Sequence, residues 1–187
     1  MRRAFACLAV VVAVLSLAGS ANAGIPDPDN SFVAVGPDGG MTTCPSGDGP
    51  TFQYVTVTAM RSDMSPIQGI PSSSFFFTIT GGDVQRLAVD SETDFNGEIR
   101  FELLANESIV GTITIECQIY TVVLNDSDSV DCISLDVNED GHVGLQDYTL
   151  FSADYGGVEP RSDFDWSGGV DQPDFDMLIE HYGHVTE

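Results

Sequence analysis

From residue 136 onward the chain repeats itself at a spacing of 27 residues: Asp136 matches Asp163, Gly141 matches Gly168, Val143 matches Val170, Asp147 matches Asp174, Tyr155 matches Tyr182 and Gly156 matches Gly183. Surface turns that happen to be rich in Asp and Gly have no reason to share such a register. Each copy contains a twelve-residue stretch, DVNEDGHVGLQD and DFDWSGGVDQPD, with oxygen-bearing residues at alternating positions. A hard cation such as Ca²⁺ needs about 6 to 8 oxygens at roughly 2.3–2.6 Å, and a tightly curled loop can turn every second residue inward to supply them.

The pattern assigns ligands residue by residue. In the first loop Asp136, Asn138 and Asp140 present side-chain oxygens, His142 its backbone carbonyl, a water fills the place beside Gly144, and Asp147 closes the shell. In the second loop the series is Asp163, Asp165, Ser167, the carbonyl of Gly169, Asp171 and Asp174. Gly141 and Gly168 fall at the sharp turn, where a positive φ is wanted. Val143 and Val170 follow two residues later, in position to pair the loops back to back.

Beyond each loop the apolar residues take helical spacing, as Tyr148, Phe151 and Tyr155 in one copy and Phe175, Leu178 and Tyr182 in the other. Each loop is therefore expected to feed an exit helix, with Pro173 in the opening turn of the second and Gly156 and Gly183 at the ends. Entering helices lack support, because 125–134 is polar and short and 158–162 contains a proline.

A duplicated calcium loop plus exit helix, with Asp at the twelfth position, resembles the dockerin type I family over residues 131–187. The resemblance implies a small all-α module with EF-hand-like loops, two bound Ca²⁺ ions, and attachment to a cohesin-like partner. The chain departs from the dockerin pattern at the tenth and eleventh loop positions, which carry Leu145-Gln146 and Gln172-Pro173. That departure favours another extracellular protein as the partner.

Charge agrees with a cation-binding role. The chain carries 29 acidic residues against six arginines and no lysine, for a net charge of −23. Such a surface repels nucleic-acid phosphates and anionic membranes, and bound cations relieve its self-repulsion.

At the start, Arg2 and Arg3 precede an apolar run over 4–17, and Ala21-Asn22-Ala23 follows. This is the layout of a secretory signal peptide cleaved after Ala23. Cleavage removes two arginines and no acid, so the net charge becomes −25. The expected product is secreted, with no membrane span.

Residues 24–125 differ in kind. They are rich in Thr, Val, Ile and Phe in alternating runs, and they predict short strands over 32–35, 52–59, 75–80, 85–89, 98–103 and 112–124. Asn96-Gly97 is a tight-turn pair. The segments VTVTAMRSDMSPIQGIP, SETDFNGEIRFEL and VGTITIEC resemble bacterial immunoglobulin-like domains of the invasin type, over about residues 50–125. The expected fold class is thus an all-β immunoglobulin-like sandwich followed by the all-α module. The acidic run NDSDSVD serves as linker, and the boundary is at 125/126.

Nothing in the sequence assembles into catalysis. His142, His181 and His184 all lie in the C-terminal segment, where His181 and His184 suit a helix end, and the acid pairs Asp90/Glu92 and Glu98/Glu102 have the spacing of one solvated strand face. The Phe75-Phe76-Phe77 run reads as inter-sheet core. Of the cysteines beyond residue 23, Cys44 and Cys117 are expected to pair and leave Cys132 free, with Cys44 to Cys132 as the competing bridge. Two functions remain open. One is a non-catalytic, calcium-dependent attachment or adhesion protein. The other is a carbohydrate-binding accessory of a polysaccharide-degrading, cellulosome-like system, with a polysaccharide as partner.

Overall fold

The computed structural model describes residues 24–36 and 40–185. The signal peptide expected over residues 1–23 lies outside them. Among the described residues no helix is long and apolar enough to cross a membrane.

Eight strands form two four-stranded sheets. They are β1 (Phe32–Val35), β2 (Met41–Thr43), β3 (Gln53–Thr58), β4 (Phe75–Thr80), β5 (Val84–Ala88), β6 (Glu98–Ala105), β7 (Gly111–Ile119) and β8 (Val122–Ser134). One sheet has the order β1-β3-β6-β5 and the other β2-β8-β7-β4. Every pairing is antiparallel except β2 with β8, which run parallel with Met41 opposite Cys132. First, third, sixth and fifth strands in one sheet, facing a sheet whose centre is the eighth and seventh with the fourth beside them, is the immunoglobulin arrangement. The topology itself therefore carries the immunoglobulin-like reading.

Alternation along the strands builds the core. On β6 Ile99, Phe101, Leu103 and Ala105 point inward, and on β7 Ile113, Ile115, Cys117 and Ile119 do so. Phe101 sits between Phe75 and Phe77, with ring centroids 5.6 and 4.9 Å away, and the Arg86 guanidinium lies over both Phe77 and Phe101 at 5.2 and 5.3 Å. Phe76, the middle of the phenylalanine run, is exposed, as its place on the opposite face of β4 requires. Gly97 closes the turn after Asp94 at φ 78°, and a Cβ there would press on the Ala59 carbonyl.

Three expectations about the strands need correction. The run over 112–124 is not one strand: β7 and β8 meet in a hairpin at Tyr120-Thr121, with Tyr120 at φ 57° and no glycine to announce the turn. β2 carries no recognisable alternation in the sequence and was not expected. The acidic stretch after Asn125 is not a linker but the middle of β8, which runs unbroken across the 125/126 boundary to Ser134. Its acids have structural partners, because the Asp126 and Asp128 carboxylates accept the β1 amides of Val33 and Val35 at 3.0 and 2.7 Å.

The all-α dockerin-like module is likewise not what the structure contains. Beyond β8 there are two short helices, α1 (Leu145–Asp154) and α2 (Gln172–Glu180), and a 3₁₀ turn at Pro160–Ser162, while the rest is loop on a protein dominated by its two sheets. The physical reason is size. Helices of 10 and 9 residues enclose only a small cluster of buried residues, namely Leu135, Val143, Phe151, Phe164, Val170 and Leu178, and that cluster is completed by Cys44 from the sandwich side. The segment is fastened directly to the sheet. Thr42 Oγ1 donates to the Phe164 carbonyl at 2.6 Å and accepts from Trp166 Nε1 at 3.0 Å, and the Leu135 amide bonds the Thr43 carbonyl at 3.0 Å. Gly40 leaves no room for a Cβ beside the Trp166 ring.

Candidate metal centre

The repeated spacing becomes a repeated geometry. In the first loop the structure brings Asp136, Asp140 and Asp147 together, and in the second Asp163, Asp165 and Asp174, each set with carboxylate oxygens within 4.8 Å of one another. Oxygens on a calcium shell of radius about 2.3–2.6 Å lie at most about 4.6–5.2 Å apart, so the three carboxylates within each set are close enough to share an ion of their own.

The same backbone cradle holds the carboxylates in both copies. Asp136 accepts the amides of Asp140 and Gly141 at 3.1 and 2.7 Å, and Asp163 accepts those of Ser167 and Gly168 at 2.9 and 2.8 Å. Asp147 accepts the amides of Asn138 and Gly144 at 3.1 and 2.7 Å, and Asp174 those of Asp165 and Asp171 at 3.0 and 2.8 Å. Gly141 and Gly168 have φ of 85° and 93°, the left-handed turn expected of them. The fourth loop residues, Glu139 and Trp166, match each other too, at φ 59° and 60°.

The other expected ligands are placed as follows. Asn138 accepts the Asp140 amide and donates to the Asp140 carboxylate and to Gln146, so its amide lies on the loop's acidic side. The Ser167 amide donates to the Asp163 and Asp165 carboxylates at 2.9 and 3.0 Å, and its hydroxyl donates to the Gly169 carbonyl at 3.3 Å. His142 joins the first loop through its backbone, its amide bonding Asp140 at 3.1 Å. Asp171 stands outside the second carboxylate set and serves as N-cap residue of α2. Val143 and Val170 do not pair with each other. Val143 exchanges backbone bonds with Gly183 and His184 beyond α2, and Val170 with Gly156 and Gly157 beyond α1, so each loop is clasped to the chain leaving the other repeat's helix.

Electrostatically the loops are under-compensated. Asp136, Asp147, Asp163 and Asp174 are all buried, and no ion pair to them is seen among the described residues. Burial pushes the Asp136 and Asp163 carboxyls above the usual carboxylate range. Their amide donors oppose the rise, and the neighbouring carboxylates add to it. The donor set is all hard oxygen, the chemistry of Ca²⁺ rather than of a soft metal.

A second cluster escaped the sequence reading. Cys44 is unpaired, as are Cys117 and Cys132, so the expected bridge is absent. The reason lies in direction: Cys117 and Cys132 face the sandwich core, where burial raises both thiols to about 12, whereas Cys44 leaves β2 on the side of the C-terminal cluster. There Cys44 Sγ lies 3.5 Å from His184 Nδ1, which is also 3.1 Å from Asp48 Oδ1. His181, expected merely to decorate a helix end, is buried, with its ring nitrogens at the Met177 and Asp48 carbonyls. Of the acid pairs, Glu98 and Glu102 lie on β6 as expected, whereas Asp90 and Glu92 lie beyond the end of β5, with Asp90 accepting the Arg100 amide and side chain.

No family profile matches the chain, and no curated protein does. Among solved structures, the filamin domain of Lin-41 is similar with a TM-score of 0.39 at 13% identity, over 57% of this chain and 95% of that one. The Yersinia pseudotuberculosis adhesin InvE has a TM-score of 0.41 at 19% identity, over 56% of this chain and 26% of its own. Domains 6–7 of the surface layer protein SbsC have a TM-score of 0.41 at 18% identity, over 56% of this chain and 46% of theirs. This chain thus spans about a quarter of the InvE structure and under half of the SbsC one.

Proposed function

We propose that this is an exported, non-catalytic protein whose two acidic loops each take up one Ca²⁺ and thereby hold the helical tail on the sandwich. The sandwich then serves as a spacer or adhesion domain toward another extracellular protein. The observation carrying this reading is the pair of matched cradles, in which four buried carboxylates have no cationic side chain paired with them among the described residues. Burying an ionised carboxylate without a counter-charge is expensive, and a divalent ion at the common focus removes that cost. Calcium is to be held by Asp136, Asn138, Asp140, the His142 carbonyl and Asp147 in one loop, and by Asp163, Asp165, Ser167, the Gly169 carbonyl and Asp174 in the other.

Calorimetric titration of the chelator-treated full chain with Ca²⁺ tests this. Two ions per chain are expected, with Asp136→Ala and Asp163→Ala each removing one. Absence of binding heat together with an unchanged melting temperature in calcium and in chelator would remove the basis for the proposal.

A further inference from the structure

Around His184 Nδ1 three polar atoms crowd one ring nitrogen. Cys44 Sγ is 3.5 Å away, Ser46 Oγ 2.9 Å and Asp48 Oδ1 3.1 Å, while Sγ and Ser46 Oγ are themselves 3.4 Å apart and Ser46 also bonds Asp48. A ring nitrogen has one proton or one lone pair, so it can satisfy only one of the three at a time. A cation held by the sulfur, the carboxylate and the ring nitrogen removes that competition and leaves Ser46 to its bond with Asp48. In a tetrahedral zinc site, with sulfur at about 2.3 Å and nitrogen or oxygen at about 2.0–2.1 Å, sulfur and nitrogen stand about 3.6 Å apart and nitrogen and oxygen about 3.3 Å. The observed separations of 3.5 and 3.1 Å match two edges of that shell, and the three donor atoms all lie within 4.8 Å of one another.

We infer that Cys44 Sγ, Asp48 and His184 Nδ1 form a site for a tetrahedral transition metal of the zinc class, which ties the loop after β2 to the tail after α2. A water completes the shell, and Ser46 bonds the Asp48 carboxylate from outside it. Zinc binding replaces the Cys44 thiol proton, which leaves to solvent. The sulfur and nitrogen donors separate this site from the two all-oxygen loops, since thiolate selects zinc over calcium.

Its surroundings suit the assignment. His181 holds the loop through the Asp48 carbonyl at 3.0 Å and packs edge-on to the His184 ring at 5.1 Å, support of the kind that orients metal ligands. Cys44 is buried while Asp48 is exposed, so the site has a closed floor and an open entrance. A Cys-His-Asp catalytic relay is a poorer fit, because that arrangement needs the thiol and the carboxylate on opposite ring nitrogens and here both approach Nδ1. The clamp also has structural sense, as it joins residues 140 positions apart in sequence.

The test uses the full chain saturated with Ca²⁺, so that the acidic loops are filled, and titrates it with Co²⁺ as a spectroscopic probe for zinc. One Co²⁺ is expected, with tetrahedral visible bands and a thiolate-to-metal charge-transfer band that Zn²⁺ abolishes by displacement. Cys44→Ser should remove the charge-transfer band. Asp48→Asn, a near-isosteric change at an exposed position, should weaken zinc affinity by on the order of a hundredfold. Calcium binding should be unchanged in both. A calcium-saturated wild-type chain with no charge-transfer band overturns the inference, as does a band that survives intact in Cys44→Ser or an affinity unaltered in Asp48→Asn. Because the acidic loops contain no sulfur, these outcomes are independent of whether they bind calcium.

Discussion

The sandwich and the segment beyond it solve the same problem by different means. Twenty buried residues form the sandwich core, all of them apolar or cysteine, and cross-sheet packing of Phe75, Phe77 and Phe101 fills its centre. The C-terminal segment has a buried cluster of only seven, one of which is Cys44, and alongside it five buried carboxylates, four of them in the two loops. Apolar burial needs nothing from the solution, at roughly 25 cal/mol per Å² removed from water. A core a third that size with clustered charge needs counter-ions. The two regions should therefore answer differently to core truncation, to chelation and to acid.

Truncating the sandwich core should have the largest effect. Phe101 is fully buried and touches two other phenylalanine rings, so Phe101→Ala should cost about 3–5 kcal/mol. The loss, followed by the strand signal in circular dichroism during urea unfolding, should be the same in calcium and in chelator. A loss that depends on calcium would mean that the two regions share one cooperative unit.

Chelation should act in the opposite sense. At free calcium a hundredfold above the dissociation constant, each filled loop gains about 2.7 kcal/mol that chelator withdraws. Trp166 is the chain's single tryptophan and sits in the second loop with its indole N–H on Thr42 of β2, so its fluorescence reports the second loop and its seat on the sandwich. Chelator should shift that fluorescence while the strand signal persists. An unmoved tryptophan would show that the segment stands without calcium.

What the sequence made legible divides along the same line. The paired acidic loops were readable because all the carboxylates of one set lie within twelve residues, and the 27-residue register states the geometry twice. Most strands were readable from alternation, as in β4 and β6. The parts that depend on distant neighbours were not. Asp126 and Asp128 look like linker residues until β1 supplies the amides they bind. Tyr120 turns a hairpin without glycine because β7 and β8 pair strongly enough on either side to impose φ 57°. Val143 and Val170 have the right spacing to face one another, yet the symmetric solution crosses each to the opposite repeat's helix end. Cys44 and His184 carry no common motif, and only the fold brings them together.

The smallest expected effect concerns the join between the two repeats. Asp154, the last residue of α1, is buried and accepts Arg161 Nε and Nη2 at 2.8 and 3.0 Å and Ser162 Oγ at 2.7 Å, so it pins the 3₁₀ turn that delivers Asp163 to the second loop. The Arg161 hydrogen bonds, against the opposing effect of burial and with help from Ser162, hold its carboxyl below the usual range. A folded value below the unfolded one contributes stability that is present above the unfolded value, about 3.9, and is lost as pH falls through the folded value. Arg161 is half-exposed, which discounts the ionic share, but the buried hydrogen bonds remain. Asp154→Asn should therefore cost about 1–2 kcal/mol at neutral pH. The gap between wild type and variant should begin to narrow as pH drops below about 3.9 and close as pH passes the lower folded value, where the wild-type carboxyl too becomes neutral. Urea unfolding of the calcium-loaded proteins by Trp166 fluorescence, at neutral and acidic pH, measures that gap directly. A gap that stays constant with pH would assign the effect to shape rather than charge, and would leave the join between the repeats as a matter of packing.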